Sequence, residues 1–170
     1  QNQLNEALKY AKTASQIDGD SAQILYTLGQ VHEQLGNTLE AVQAYTKAVQ
    51  KKPDYPLPRI NLGKILDEMK QYDKALVQLS AAYKIDPTSF AVNNNIGNVY
   101  LHLGRYNESI QHYNKALEKR PDDNLIRYHL GIAYMETGQN IFAEEMFREL
   151  VERDPTYWEA YDKLGRLLYA

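Results

Sequence analysis

Acid–base, nucleophilic and metal chemistry all need several groups brought together, so the first question is which reactive side chains this chain spaces for that purpose. Four histidines are present, His32, His102, His112 and His129, and they are not arranged with metal-ligand spacing on one helix. No cysteine occurs, which excludes thiol catalysis, disulfides and thiolate metal sites. It leaves cytosol and periplasm both open as compartments. Glu144 and Glu145 are adjacent, and neighbouring helical positions point apart, so the pair reads as a solvated face. The stretch Gly97–Gly104 holds two glycines, but no strand precedes it to build a phosphate-cradling loop. Asn107-Glu108-Ser109 has the glycosylation-acceptor pattern, at the start of a predicted helix. No catalytic residue, metal site or cofactor is expected.

The elements that would position any site are set by a repeat. Steps of thirty-four residues from Gly97 land on Gly29, Gly63, Gly131 and Gly165, each preceded by Leu or Ile (Leu28, Leu62, Ile96, Leu130, Leu164). A helical glycine costs roughly 1 kcal/mol relative to alanine, and close approach between packed helices is the shared reason expected here. With that glycine as position 8, position 20 carries Ala41, Ala75, Ser109 and Ala143. Position 24 carries Tyr45, Leu79, Tyr113 and Phe147, and position 27 carries Ala48, Ala82, Ala116 and Leu150. Small, large, small at spacings of four and three is one helix face. Pro53, Pro87, Pro121 and Pro155 at position 32 then stop that helix. Each unit reads as two antiparallel helices. Gly36, Gly104 and Gly138 end the first helix at position 15; Lys70 stands there in the second unit, so that turn must be made differently or at some cost. Asn37 with Glu40 and Thr156 with Glu159 have capping-box spacing. Most of the fourteen tyrosines, Tyr45, Tyr100, Tyr113 and Tyr134 among them, fall at packing positions and read as core.

Bulk composition agrees with a folded array. Apolar residues make up 44% and charged residues 24%, which rules against disorder. Nineteen basic and twenty-two acidic side chains give a net charge of −3, which argues against a nucleic-acid partner. Apolar runs are too short to span a bilayer, and no signal-peptide pattern is present. The chain opens on Gln1 inside a helical pattern and reads as a piece of something longer.

Leu-Gly-x-x-Tyr, then Ala-x-x-x-aromatic, then Ala, then Pro, at a period of thirty-four, resembles the tetratricopeptide repeat. The resemblance implies an all-α fold, a right-handed α-solenoid (superhelix) of tandem antiparallel helix pairs. Residues 1–21 would be the second helix of a truncated upstream repeat, and residues 22–55, 56–89, 90–123 and 124–157 four repeats. Residues 158–170 would be the first helix of a further repeat or a cap. Arg59, Asn93 and Arg127 depart from the family's large apolar residue at position 4. The last helix carries Tyr161, Leu164, Leu167, Leu168 and Tyr169, more apolar surface than a cap should show.

The resemblance further implies a concave groove lined by positions 2, 5, 6, 9, 12 and 13 of the first helices. Those positions supply Tyr26, Gln30, Ile60, Asn61, Lys64, Asn94, Asn95, Asn98, His102, Tyr128, His129 and Ile132. Asparagine both donates and accepts, so Asn61, Asn94, Asn95 and Asn98 are candidates for a clamp on the backbone of an extended peptide. Leu125, Met135 and their apolar neighbours suit a peptide or amphipathic helix. Glu33, Asp67, Glu68 and Glu136 along one edge favour a partner of some basic character. The cationic carboxylate clamp of chaperone-adaptor members has no matching set here. The expectation is a non-catalytic protein-interaction scaffold. Two alternatives stand beside it: self-association through Trp158–Ala170, and service as the recruiting arm of a larger enzyme.

Overall fold

The computed structural model describes residues 2–169. Ten helices follow one another: α1 (Asn2–Ile17), α2 (Ala22–Gln34), α3 (Thr38–Lys51), α4 (Pro56–Glu68), α5 (Tyr72–Ile85), α6 (Phe90–His102), α7 (Tyr106–Lys119), α8 (Asn124–Glu136), α9 (Asn140–Arg153) and α10 (Trp158–Tyr169). Among the described residues all regular structure is helical. The chain divides into two compact units, Gln1–Pro87 and Thr88–Ala170.

In both units the repeating glycine has a local cause. A Cβ on Gly29 would lie 2.5 Å from the Tyr45 ring, and one on Gly63 would lie 2.5 Å from Leu79 Cγ. In the second unit a Cβ on Gly97 would lie 2.7 Å from the Tyr113 ring, and one on Gly131 would lie 2.6 Å from Phe147. These are closer than real Cβ contacts, and all four facing side chains are fully buried. The glycine therefore seats the large position-24 side chain of its own hairpin, and the small residue at position 20, joined by alanine at position 27 in all but the fourth repeat (Leu150), lets the two helices close around it. Gly165 differs, with open space where its Cβ would be. Among the described residues no position-24 side chain packs on it.

The turn inside each hairpin uses left-handed backbone: Gly36, Gly104 and Gly138 have φ of +74°, +69° and +71°. Lys70 takes the same conformation at φ 58°, so the second repeat keeps the turn and accepts the strain of a Cβ there, roughly 1 kcal/mol. Neither expected capping box forms. Asn37 has no side-chain cap bond; its amide lies 3.3 Å from His32 Nδ1 instead. Thr156 turns back to Asp154, its N–H and hydroxyl both donating to Oδ1. The side chains that do cap are Ser21, accepting from the Ile24 N–H, and Asp123, accepting from the Ile126 N–H. In both, a short acceptor just before the helix has nothing better to bond.

The position-4 departures are specific contacts. Arg59 Nε donates to the Pro53 carbonyl at 3.0 Å, and buried Arg127 donates Nη2 to the Pro121 carbonyl. Each arginine thus ties the turn that follows the preceding repeat's second helix to the next repeat's first helix. Asn93, fully buried, donates to the Ser89 carbonyl and pairs through Oδ1 with His112 Nδ1 at 2.9 Å.

Candidate functional site

In the first unit the expected residues of α2 and α4 converge on Glu33. Tyr45 donates its hydroxyl to Glu33 Oε2 at 2.7 Å and accepts from Asn61 Nδ2 at 3.0 Å. Lys64 Nζ lies 3.1 Å from Glu33 Oε1 and 3.8 Å from Glu68. Gln30 Nε2 donates to the Tyr26 hydroxyl. Gln30, Glu33, Gln34, Asn61, Lys64 and Glu68 line an open cavity of about 470 Å³. Tyr26 and Ile60 are each only 8% exposed, so they support this pocket from beneath and offer little surface themselves. The Tyr26 ring packs between Tyr45, tilted at 5.7 Å, and Tyr55, edge-on at 5.5 Å. Burial pushes the Tyr26 and Tyr45 hydroxyls above their ordinary pKa, so both stay neutral donors at any physiological pH. The hydrogen bond to Glu33 raises Lys64 and keeps it charged.

The second unit repeats the device with different residues. Tyr113 donates its hydroxyl to Asn98 Oδ1 at 2.7 Å, and His129 Nδ1 lies 3.5 Å from the Tyr113 hydroxyl oxygen. The His129 ring packs against Tyr113 and Tyr128, at 5.8 and 6.0 Å. Burial lowers the His129 pKa, the nearby charge of His102 lowers it further, and Asp123 opposes. The imidazole is therefore neutral at pH 7. The charge of His102 is felt at His129, but no group of three or more ligand-type side chains gathers among the described residues. Asn94 and Asn95 are half-buried and take no part in these bonds. Tyr128 and Ile132 are half-buried and pack with Met135 on the cluster formed by Phe147, Leu150 and Leu164. Leu125 is 56% exposed.

Four models of one repeat family match the chain. Three described as "Tetratricopeptide repeat" cover residues 1–56, 34–94 and 126–157, and one described as "TPR repeat" covers 97–138. The chain belongs to the tetratricopeptide repeat (TPR) family.

Solved TPR structures superpose on most of it. MamA (residues 41 to the end) from Desulfovibrio magneticus RS-1 is 24% identical, with a TM-score of 0.82 over 91% of this chain and 87% of that one. YrrB, described as a TPR protein with an unusual peptide-binding site, is 22% identical, with a TM-score of 0.81 over 95% and 83%. A TPR protein from Parabacteroides merdae ATCC 43184 is 22% identical, with a TM-score of 0.82 over 98% and 66%. At these identities the likeness shows the fold, the all-α solenoid of tandem helix pairs that the sequence implies. No curated protein matches. TPR proteins generally mediate protein–protein interactions, bind protein or peptide partners, and are generally non-catalytic scaffolds. No helix among the described residues is long and apolar enough to cross a membrane.

Sequence reasoning missed the role of the position-24 tyrosines of this TPR chain. Tyr45 and Tyr113 count as core by pattern, yet their hydroxyls emerge among the groove positions. Each bonds a polar residue of its own first helix (Glu33, Asn98) and meets position 6 of the next repeat (Asn61, His129). The signal lay in the sequence: where position 24 is Leu79 or Phe147, no hydroxyl is available to hold position 6. Asn61 and Asn98, placed in the candidate clamp, each have one polar atom occupied by a tyrosine.

Proposed function

We propose that this TPR chain is a non-catalytic scaffold that holds a peptide segment or helix of a partner protein against the first helices of its repeats. One observation carries the reading: Gln30, Asn61 and Lys64, chosen by repeat position alone, line a single open cavity together with Glu33 and Glu68. Buried tyrosine hydroxyls fix the orientation of Glu33 and Asn61, so the pocket is organised before anything binds. Lys64 sits half-exposed between two carboxylates, and exposed ion pairs of this kind are worth about 0–1 kcal/mol. A basic side chain of a partner competes with it at little cost, which supports a partner of some basic character. In the second unit Asn94 and Asn95 are the asparagines best suited to a peptide backbone, because Asn98 already serves Tyr113.

A partner screen comparing the parent chain with an Asn94→Ala/Asn95→Ala variant tests this. Selective loss of at least one partner is expected, with circular dichroism unchanged. If every partner is retained, the asparagine clamp is wrong.

A second reading is self-association through α10. Trp158, Tyr161 and Leu168 are 69%, 49% and 63% exposed, and the Gly165 notch beside them is open. Light scattering at two concentrations separates the readings, since only self-association makes the mass rise with concentration.

A further inference from the structure

The first unit has a second concavity, on a different face of α4 from the one that presents Asn61, Lys64 and Glu68. A cavity of about 630 Å³ opens between α3 and α5, with α4 as its floor. Its lining is mainly aliphatic: Leu39, Val42 and Val49 from α3, Leu62 and Leu66 from α4, and Val77 from α5. Leu39 and Val77 are 65% and 64% exposed. Arg59 and Lys74 stand in the lining with several amides, and no carboxylate does. In a chain of net charge −3, an apolar cleft whose charged lining groups are all cations is distinctive.

The second unit contains the equivalent positions, between α7 and α9 over α8, and there the chain places larger side chains. Tyr134 stands where α4 has Leu66, Phe142 where α5 has Lys74, and Met146 where α5 has Gln78. The Tyr134 and Phe142 rings meet at 5.3 Å, and Tyr134 and Met146 pack on the same core cluster as Ile110 and Leu117. Arg127, the counterpart of Arg59, donates Nε to Glu149 Oε2 at 2.9 Å. The counterpart of Glu149 in the first unit is Ala81, so Arg59 turns instead to the neutral Gln78 Oε1 at 3.0 Å. The first unit therefore lacks both the aromatic ring and the carboxylate that complete this cleft in the second.

We propose that the cleft between α3 and α5 is a separate docking site, taking a partner-protein segment that presents an aromatic or large aliphatic side chain beside a carboxylate. The apolar group occupies the space that Tyr134 and Phe142 fill in the second unit. The carboxylate pairs with Arg59 and Lys74, as Glu149 does with Arg127. Removal of the exposed Leu39 and Val77 surface from water supplies the drive, and the arginine fork favours an acidic over a basic partner. This preference is opposite to that of the Glu33 pocket, and the site stands independently of the groove reading.

Methyl-resolved NMR titration with 3-phenylpropionate, and with the neutral 3-phenylpropanol as control, reads the site out. Saturable shifts at the Leu39, Val42, Val49, Leu66 and Val77 methyls are expected. The acid should bind at least about threefold more tightly than the alcohol, and an Arg59→Gln/Lys74→Gln variant should remove that difference. Leu66→Tyr/Lys74→Phe, which copies the filled cleft, should abolish the shifts. Leu39→Asp/Val77→Asp changes two exposed positions and leaves the core intact; it should weaken the acid about tenfold, equivalent to 1.4 kcal/mol. The proposal is overturned by the absence of saturable shifts in the parent chain, by equal affinity for acid and alcohol, or by shifts undiminished in Leu39→Asp/Val77→Asp.

Discussion

Replacement of Gly97 by alanine sets two well-defined effects against each other. In a bare helix the change stabilises by about 1 kcal/mol, because alanine is the better helix former. Here the new Cβ would sit 2.7 Å from Cδ1 and Cε1 of Tyr113. That ring is fully buried, its hydroxyl is tied to Asn98, and it packs on His129, so it cannot swing aside freely. Overpacking of this kind costs about 1–3 kcal/mol, and a displaced hydroxyl bond adds about 0.5–1.5 kcal/mol. The clash wins, and Gly97→Ala should destabilise by about 0.5–3.5 kcal/mol in urea denaturation followed by circular dichroism. Gly165→Ala, where the Cβ meets open space, should instead stabilise, by up to about 1 kcal/mol. A cycle with Tyr113→Ala isolates the clash: in that background Gly97→Ala should become stabilising. If Gly97→Ala raises the midpoint as Gly165→Ala does, the glycine register has some cause other than seating the position-24 side chain.

Three further outcomes are expected. Lys70→Gly should stabilise by roughly 1 kcal/mol, read as a shift in the denaturation midpoint, because glycine relieves the left-handed strain at φ 58°. Burial, and secondarily Lys115, depresses the pKa of His112 to about 4. The folded state then binds fewer protons than the unfolded chain, so stability should be full above pH 6.5 and fall as pH drops toward 4. The loss, discounted for partial exposure, is of order 1–2 kcal/mol, and a His112→Gln variant should show a flatter pH profile over that window. Glu149→Ala should cost more than Arg127→Met in the same denaturation assay. It leaves a buried guanidinium without its carboxylate, whereas Arg127→Met removes the buried charge and leaves Glu149, 42% exposed, to water.

The repeat made the fold legible because its period is imposed by packing. Gly29, Gly63, Gly97 and Gly131 each answer to one buried side chain, and the prolines mark where each hairpin must end. Capping was less legible: Asn37 and Thr156 have the right spacing, but His32 and Asp154 offer their side chains closer partners. Repeat register put Gln30, Asn61 and Lys64 on the first helices, and the three line one cavity. What register could not convey is which polar atoms the protein keeps for itself. That depends on whether position 24 carries a hydroxyl, a difference between Tyr45 and Leu79 that a hydrophobic pattern scores alike. Arg59 and Arg127 likewise looked like softened apolar positions and are instead ties to a proline carbonyl of the preceding repeat.

The central claim, that partners are held on the first helices, is tested most directly by backbone amide NMR on a complex with a partner recovered from the screen. Perturbation should centre on the polar faces of α4, α6 and α8, including Asn61, Asn94 and Asn95, with the Glu33 pocket responding as Lys64 is displaced. Perturbation confined to the second helices α3, α5, α7 and α9, with those asparagines silent, would contradict it.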